Sequence, residues 1–272
     1  MNSKSPPYVS IKAAKSALAK ERRSRKPGRK ESTRPWYDGV HSFDIDSKSA
    51  LREYIRYRPH LVKEIRCSPK ELSTWENILV RESPELLPSL SEDVGLSSLL
   101  ARVGLRALSE ADFFDHLNVE SKDGVLVMDH LEDPRNVGAI ARTAAFFGIK
   151  WIVLPKARQS GIVQATVATA QGAFALCDFV AVANLARFCE KLKTRGYWIL
   201  GADMVGTSVN ESESRGLDLK ALVLGNEQKG LSNLVRRNCD MMVSVPSAGS
   251  EHLESLNVSV AGGILMHQIF AR

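Results

Sequence analysis

Several large functional classes are excluded by what this chain lacks. Its 272 residues contain no apolar run of 18 or more, so no membrane-spanning helix is expected. The N-terminus has no apolar leader of the secretory kind, and a cytoplasmic location is expected. Cysteine is scarce: Cys67, Cys177, Cys189 and Cys239 are scattered without a C-x-x-C pair, as expected of reduced, packed thiols. None of the six histidines stands at metal-ligand spacing from Cys, Asp or Glu. His130 and His252 read as ordinary loop histidines, and no metal is expected. No G-x-G-x-x-G follows a candidate strand, which removes the usual dinucleotide site. Gly225 and Gly230 are spaced like a phosphate loop, but Leu231-Ser232 follows where Lys-Ser/Thr would be needed.

Acidic residues are also nearly missing from the first 35 positions, which hold 11 Lys+Arg against 2 Asp+Glu. The whole chain is +6, so the remainder is slightly acidic and the basic character belongs to this stretch. With few large apolar residues it cannot bury enough surface to order itself. It is either a solvated tail or an arm that gathers phosphates by counterion release.

What is present beyond it is an α/β pattern long enough for two domains. Residues 36–117 read as a small α/β unit. Trp36–Phe43 is an expected strand. A helix capped by Asp46 or Ser47 runs to Arg58, Leu61–Arg66 is a second strand, and Glu71–Arg81 a second helix. Pro84 and Pro88 then break the pattern ahead of Gly95–Arg102. Residues 118–272 alternate more regularly. Short apolar runs occur at Val125–Met128, Trp151–Leu154, Phe179–Val182, Trp198–Leu200, Ala221–Leu224 and Met241–Val245. Helical patterns between them cover Pro134–Phe147, Val163–Gly172, Leu185–Arg195, Asn233–Asn238 and Leu256–Phe270. Continuous apolar strands alternating with helices predict a largely parallel sheet covered on both faces.

Three segments carry polar residues with no packing reason to be there. In Asp133-Pro134-Arg135-Asn136-Val137-Gly138, Asp133 is a good N-cap and Pro134 fits the first helical position. Val137, Ile140, Ala141, Ala144 and Ala145 form the buried stripe. Arg142 lies off that stripe, on the side of Gly138, whose missing side chain leaves room for the guanidinium or a ribose. Asn136 can turn its amide toward the strand ends, where open α/β sheets bind ligands. The second segment, Leu224-Gly225-Asn226-Glu227-Gln228-Lys229-Gly230-Leu231-Ser232, is a Gly-bracketed loop offering backbone groups to a ligand such as adenine. The third joins Val245-Pro246 to Ser255-Leu256-Asn257-Val258-Ser259-Val260, with Ser255 the expected N-cap and Asn257 in the first helical turn. Gly262 and Gly263 inside that helix cost stability relative to Ala, so a close backbone approach is expected in compensation.

Together, and in this order, the three segments resemble the signature motifs of the SpoU/TrmH branch of the SPOUT RNA methyltransferases, over roughly Val125 to Arg272. The resemblance implies an α/β fold with a SPOUT-type parallel sheet, a C-terminal trefoil knot and a homodimer. It also implies an L30e-like RNA-binding domain ahead of the catalytic one. The implied cofactor is S-adenosyl-L-methionine, held at Gly225, Val245 and Leu256 with Leu224, Asn226, Gly230 and Pro246. The implied catalytic set is Arg142, Glu227, Asn257, Asn136 and Ser255, with Glu227 and Asn257 orienting Arg142 and the ribose. The expected reaction is methylation of a ribose 2′-hydroxyl of RNA, ribosomal before transfer RNA. The alternatives are a base methyltransferase of the same superfamily and a noncatalytic RNA-binding protein of the same fold. Arg142 acts either as base or as electrostatic anchor; a guanidinium is normally protonated, which disfavours the first. One departure from the family is visible: Ser250-Glu251-His252-Leu253-Glu254 is expanded by about two residues.

Overall fold

Strand and helix boundaries follow the apolar pattern closely. A computed structural model describes residues 35–208, 217–247 and 255–271. The basic stretch through Arg34 and the 250–254 connection with His252 lie outside the described residues. Four strands, β1 (Val40–Ile45), β2 (Val62–Cys67), β3 (Leu90–Glu92) and β4 (Leu99–Arg106), form a smaller sheet in the order β1-β4-β2-β3. Two helices cover one face. The first, α1 (Lys48–Tyr57), starts where the Ser47 hydroxyl accepts from the Ala50 N–H, and it buries Ala50, Leu51, Tyr54 and Ile55 at helical spacing. The second, α2 (Pro69–Glu82), buries Trp75 and Leu79.

Seven strands form the larger sheet: β5 (Leu108–Ser109), β6 (Val125–Asp129), β7 (Trp151–Pro155), β8 (Asp178–Val182), β9 (Trp198–Ser208), β10 (Lys220–Gly225) and β11 (Met241–Ser244). Their order is β11-β9-β10-β6-β7-β8-β5, and every pairing is parallel. Strands β6 and β7 are buried at every position, as a parallel sheet covered on both faces requires. Alternate residues serve the two sides. Leu126 and Met128 join α4 (Pro134–Phe146), α5 (Gln164–Ala170), α6 (Ala173–Leu176) and α9 (Val258–Phe270) in a core continuous with that of the smaller sheet. Val125 and Val127 join α3 (Glu110–His116), α7 (Leu185–Lys193) and α8 (Asn233–Asn238) in a second core.

Residues from Pro35 onward form one compact unit, and specific contacts fix the smaller sheet to the larger. The Arg58 guanidinium donates to the Ala175 carbonyl at 3.0 Å and to Asp178 Oδ1 at 2.7 Å. Gly172 has φ +93°, and a Cβ there would stand 2.9 Å from the Ala50 Cα, so α1 packs directly on this turn. The Gln164 amide meets the backbone of Asp44 from both sides, accepting its N–H at 3.1 Å and donating to its carbonyl at 2.5 Å.

The structure departs from sequence expectation in identifiable places. Residues 36–39 are a turn rather than strand, because Asp38 N–H bonds back to the Pro35 carbonyl and Gly39 takes φ +79°. The segment after Pro88 forms β3 and then β4, which reaches Arg106. The helix expected over 163–172 stops at Ala170, where Gln171 and Gly172 both turn left-handed, and α6 follows. Chain passage from one sheet to the other falls at Ala107, so the 117/118 division does not coincide with the change of sheet.

Candidate active site

Asn136 is the meeting point of the three polar segments. It sits in the first turn of α4, which begins as expected: the Asp133 carboxylate accepts from the Arg135 N–H, and Pro134 is the first helical residue. The Asn136 Nδ2 donates to Glu227 Oε1 at 3.0 Å, and its Oδ1 accepts from Asn257 Nδ2 at 3.2 Å. Glu227 also accepts the Glu132 N–H at 3.2 Å and the Asp133 N–H at 3.4 Å, placing a carboxylate at the positive start of α4. A single bonded line, Glu227–Asn136–Asn257, thus joins the loops after β6 and β10 to the start of α9.

Glycines and one asparagine shape the loop after β10. A Cβ on Gly225 would fall 2.4 Å from the Gly230 carbonyl carbon, so only glycine lets the loop fold back on itself. Asn226 and Gly230 exchange backbone hydrogen bonds across it, at 3.0 and 2.9 Å. The buried Asn226 side chain is fully used: Nδ2 donates to the His130 carbonyl and to Glu132, while Oδ1 accepts the N–H groups of Gln228 and Lys229. Asn226 is therefore scaffold, with no side-chain atom left for a ligand, and two N–H groups expected to face a ligand are already satisfied. Gly230, with φ +66°, has nothing within 4 Å of where its Cβ would stand, so this side of the loop is open. The Leu224 side chain packs inward, against Gly262 of α9, where a Cβ would lie 2.8 Å away. Gly262 thus makes its close approach within the chain. Gly263, with Thr143 at an ordinary 3.7 Å, makes none.

Three sequence expectations are corrected here. Ser255 is not the N-cap of α9; Asn257 is, its Oδ1 accepting both the N–H and the hydroxyl of Ser259, and Ser255 stands exposed outside the helix. Gly138 does not clear space for Arg142. It is buried beneath α5, where a Cβ would fall 2.4 Å from the Thr166 carbonyl oxygen. Glu227 and Asn257 hydrogen-bond Asn136 rather than Arg142, and Asn136 lies about 9 Å back along the helix axis. Arg142 itself is exposed, without a hydrogen bond or ion pair among the described residues. The rest of the stripe is buried as expected except Ala145, which is half-buried.

Asp129 was not singled out by the sequence pattern. It ends the otherwise apolar β6, is fully buried, and accepts the Ser232 N–H at 2.6 Å through Oδ2 while Oδ1 meets His130 Nδ1. This carboxylate pins the far end of the Gly225–Leu231 loop to the central strand. Its only sequence signal was a lone acid at the close of Val-Leu-Val-Met-Asp. Val245 and Pro246 follow β11, and Leu256 keeps 44% of its surface exposed beside Asn257. No group of three or more His, Cys, Asp or Glu suited to a metal exists among the described residues, and no described helix is long and apolar enough to cross a membrane.

The site can be set beside known proteins. A protein named as a TrmH family tRNA/rRNA methyltransferase in Staphylococcus saprophyticus is 36% identical over 148 residues, covering 54% of this chain and 58% of the relative. YacO of Bacillus subtilis, named in the same way, is 39% identical over 147 residues with the same two coverages. The chain therefore spans less than two thirds of the length of these curated relatives. In fold it resembles the SpoU methyltransferase AviRb from Streptomyces viridochromogenes, solved in complex with AdoMet, with a TM-score of 0.67 at 22% identity over 84% of this chain and 89% of that one. It also resembles the structure of an RNA 2′-O ribose methyltransferase, with a TM-score of 0.60 at 16% identity over 84% and 87% of the two chains. The family described as SpoU rRNA Methylase matches residues 123–267, more than half of the sequence and all three polar segments, so the chain belongs to the SpoU rRNA methylase family.

Proposed function

We propose that this chain is an S-adenosylmethionine-dependent RNA methyltransferase acting on a ribose 2′-hydroxyl, with ribosomal RNA as its substrate class. The observation that carries this is the bonded line Glu227–Asn136–Asn257, which gathers one side chain from each polar segment at the C-terminal ends of parallel strands. Family membership, the tRNA/rRNA methyltransferase names of the relatives and the likeness in fold to an RNA 2′-O ribose methyltransferase support it.

When bound, S-adenosylmethionine supplies a methyl group already activated on a positive sulfonium, so attack by the hydroxyl oxygen forms O–CH3, breaks S–CH3 and releases one proton. The residues fit such a group. The open side of Gly230 and the exposed apolar Leu256 would receive an adenosyl moiety, with Val245 and Pro246 closing the adjacent strand end. Gly225 and Asn226 would hold the loop that shapes it. Asn136, its amide orientation set by donors and acceptors on both sides, would position the ribose. Arg142, whose planar donors have no partner among the described residues, would hold a phosphate and stabilise oxyanion character as the proton leaves.

The same proposal includes the C-terminal trefoil knot, residues 36–117 as an RNA-reading L30e-like domain, and a homodimer. Dimerisation is supported by α4 and α9, which pack together and leave Phe146 83% and Val260 50% exposed. The test is methyl transfer from labelled S-adenosylmethionine to total RNA of cells lacking the gene, followed by mapping of 2′-O-methyl positions. Label in one ribosomal 2′-O position is expected. Label on a base, or on transfer RNA alone, would overturn the acceptor or the substrate class.

A further inference from the structure

The loop between β7 and α5, residues 156–163, lies beside this site. Its backbone is bonded to the loop that leads into α4, through the Ser160 N–H and the Leu131 carbonyl at 2.7 Å. It therefore shares the C-terminal end of the sheet with Asn136 and Glu227. Three properties set it apart. Arg158 holds a left-handed backbone conformation, φ +55°, which a non-glycine residue adopts at a cost. Next to it, both amide atoms of Gln159 are shut off from solvent without a partner among the described residues, a second local cost. The Arg158 guanidinium is exposed and has no counter-ion among the described residues.

Arg135, on the first turn of α4, is paired with both carboxylate oxygens of Asp133. Lys156 lies 5.2 Å from the Tyr37 ring centroid, held against an aromatic face. Arg158 alone of the three has no such partner among the described residues, on a loop whose conformation is maintained at a cost and bonded to the loop that leads into α4.

We infer that Arg158 is a substrate-positioning residue, gripping an RNA phosphate next to the nucleotide whose ribose is methylated. This rests on the RNA methyltransferase reading above and names a contact that reading does not contain. An exposed guanidinium suits a phosphodiester because its planar fork donates two parallel hydrogen bonds to the phosphate oxygens.

The experiment measures binding of total RNA from cells lacking the gene across a salt series, with the full chain and its Arg158→Ala, Arg158→Gly and Arg158→Lys variants. Arg158→Ala is expected to weaken binding about tenfold and make the log–log salt slope shallower by about 0.7–0.9, the release from one phosphate. Arg158→Gly, which relieves the left-handed conformation, should lose binding equally, whereas Arg158→Lys should keep most of the slope. In methylation assays the loss should appear in KM for RNA, with S-adenosylmethionine affinity unchanged. An unchanged slope in Arg158→Ala, or wild-type behaviour of Arg158→Gly, overturns the assignment. Wild-type protein that methylates RNA while the slope ignores Arg158 sinks this inference alone. A slope that depends on Arg158 in a protein that methylates nothing sinks the enzymatic reading instead.

Discussion

On the smaller sheet Arg102 is held by both carboxylate oxygens of Asp44, and Arg66 is paired with Asp93 and Glu64. On the larger sheet's side, Arg142 within α4 and Arg158 on the loop after β7 have no such partners among the described residues. The difference follows from how the two sheets are buried. The smaller one alternates apolar and polar residues, so it presents a polar face, and the charges there satisfy one another. The central strands of the larger one are apolar on both sides, so polar chemistry is confined to the loops at their ends. Arg158 stands on one of those loops without such a partner among the described residues, whereas the charges on the smaller sheet's polar face are paired.

The sharpest way to break this contrast is Arg142→Ala. Turnover should fall by at least about a hundredfold, the scale of losing one transition-state donor, while melting temperature and cofactor affinity stay near wild type. An exposed, unpaired side chain leaves neither a cavity nor an orphaned charge behind. Asn136→Ala, by contrast, should lower both activity and melting temperature, because Glu227 and Asn257 each lose a partner. Equal thermal effects in the two variants would dissolve the distinction. Gly138→Ala tests the larger sheet's helices. Its Cβ would strike the Thr166 carbonyl, so a net destabilisation of about 1–3 kcal/mol is expected in denaturant titration despite the intrinsic helix preference for Ala. Arg58→Ala tests whether the two sheets act as one body. Losing its charged bonds to Ala175 and Asp178 should cost about 1–2 kcal/mol, and a first unfolding step confined to the smaller sheet would show that these contacts joined the two. The smallest effect concerns pH. Hydrogen bonds from Arg135 hold the Asp133 carboxyl below its ordinary range, so it contributes stability above the unfolded pKa and loses it as pH falls through the folded one. The melting-temperature gap between wild type and Asp133→Ala should therefore narrow on acidification below about pH 4.

Most of the larger sheet was legible because a strand buried on both faces is a continuous apolar word. Val125–Met128 and Trp151–Leu154 each fell one residue short of the observed strand. The start of α4 was legible because Asp133-Pro134 states it chemically. Strand β5 was not, since two residues carry no periodicity, nor was the full length of β9, whose later residues include Asp203, Gly206 and Thr207. Within the site, the members of the three segments were identifiable, but their bonding was not. Which amide meets which carboxylate depends on loop geometry across about 90 to 120 residues of chain, and no spacing rule encodes that. Asn257 rather than Ser255 became the cap because both types cap well and tertiary bonding to Asn136 chose between them.

The meeting of Gln164 with Asp44 has a consequence outside catalysis. β1 is an outermost strand of its sheet, with backbone groups facing away from β4 that invite another polypeptide to pair with them. At Asp44 the glutamine amide occupies both the donor and the acceptor, imitating one rung of a neighbouring strand. A single side chain from α5 thus blocks the register at which a foreign strand would add, so its loss would be felt first as self-association during folding.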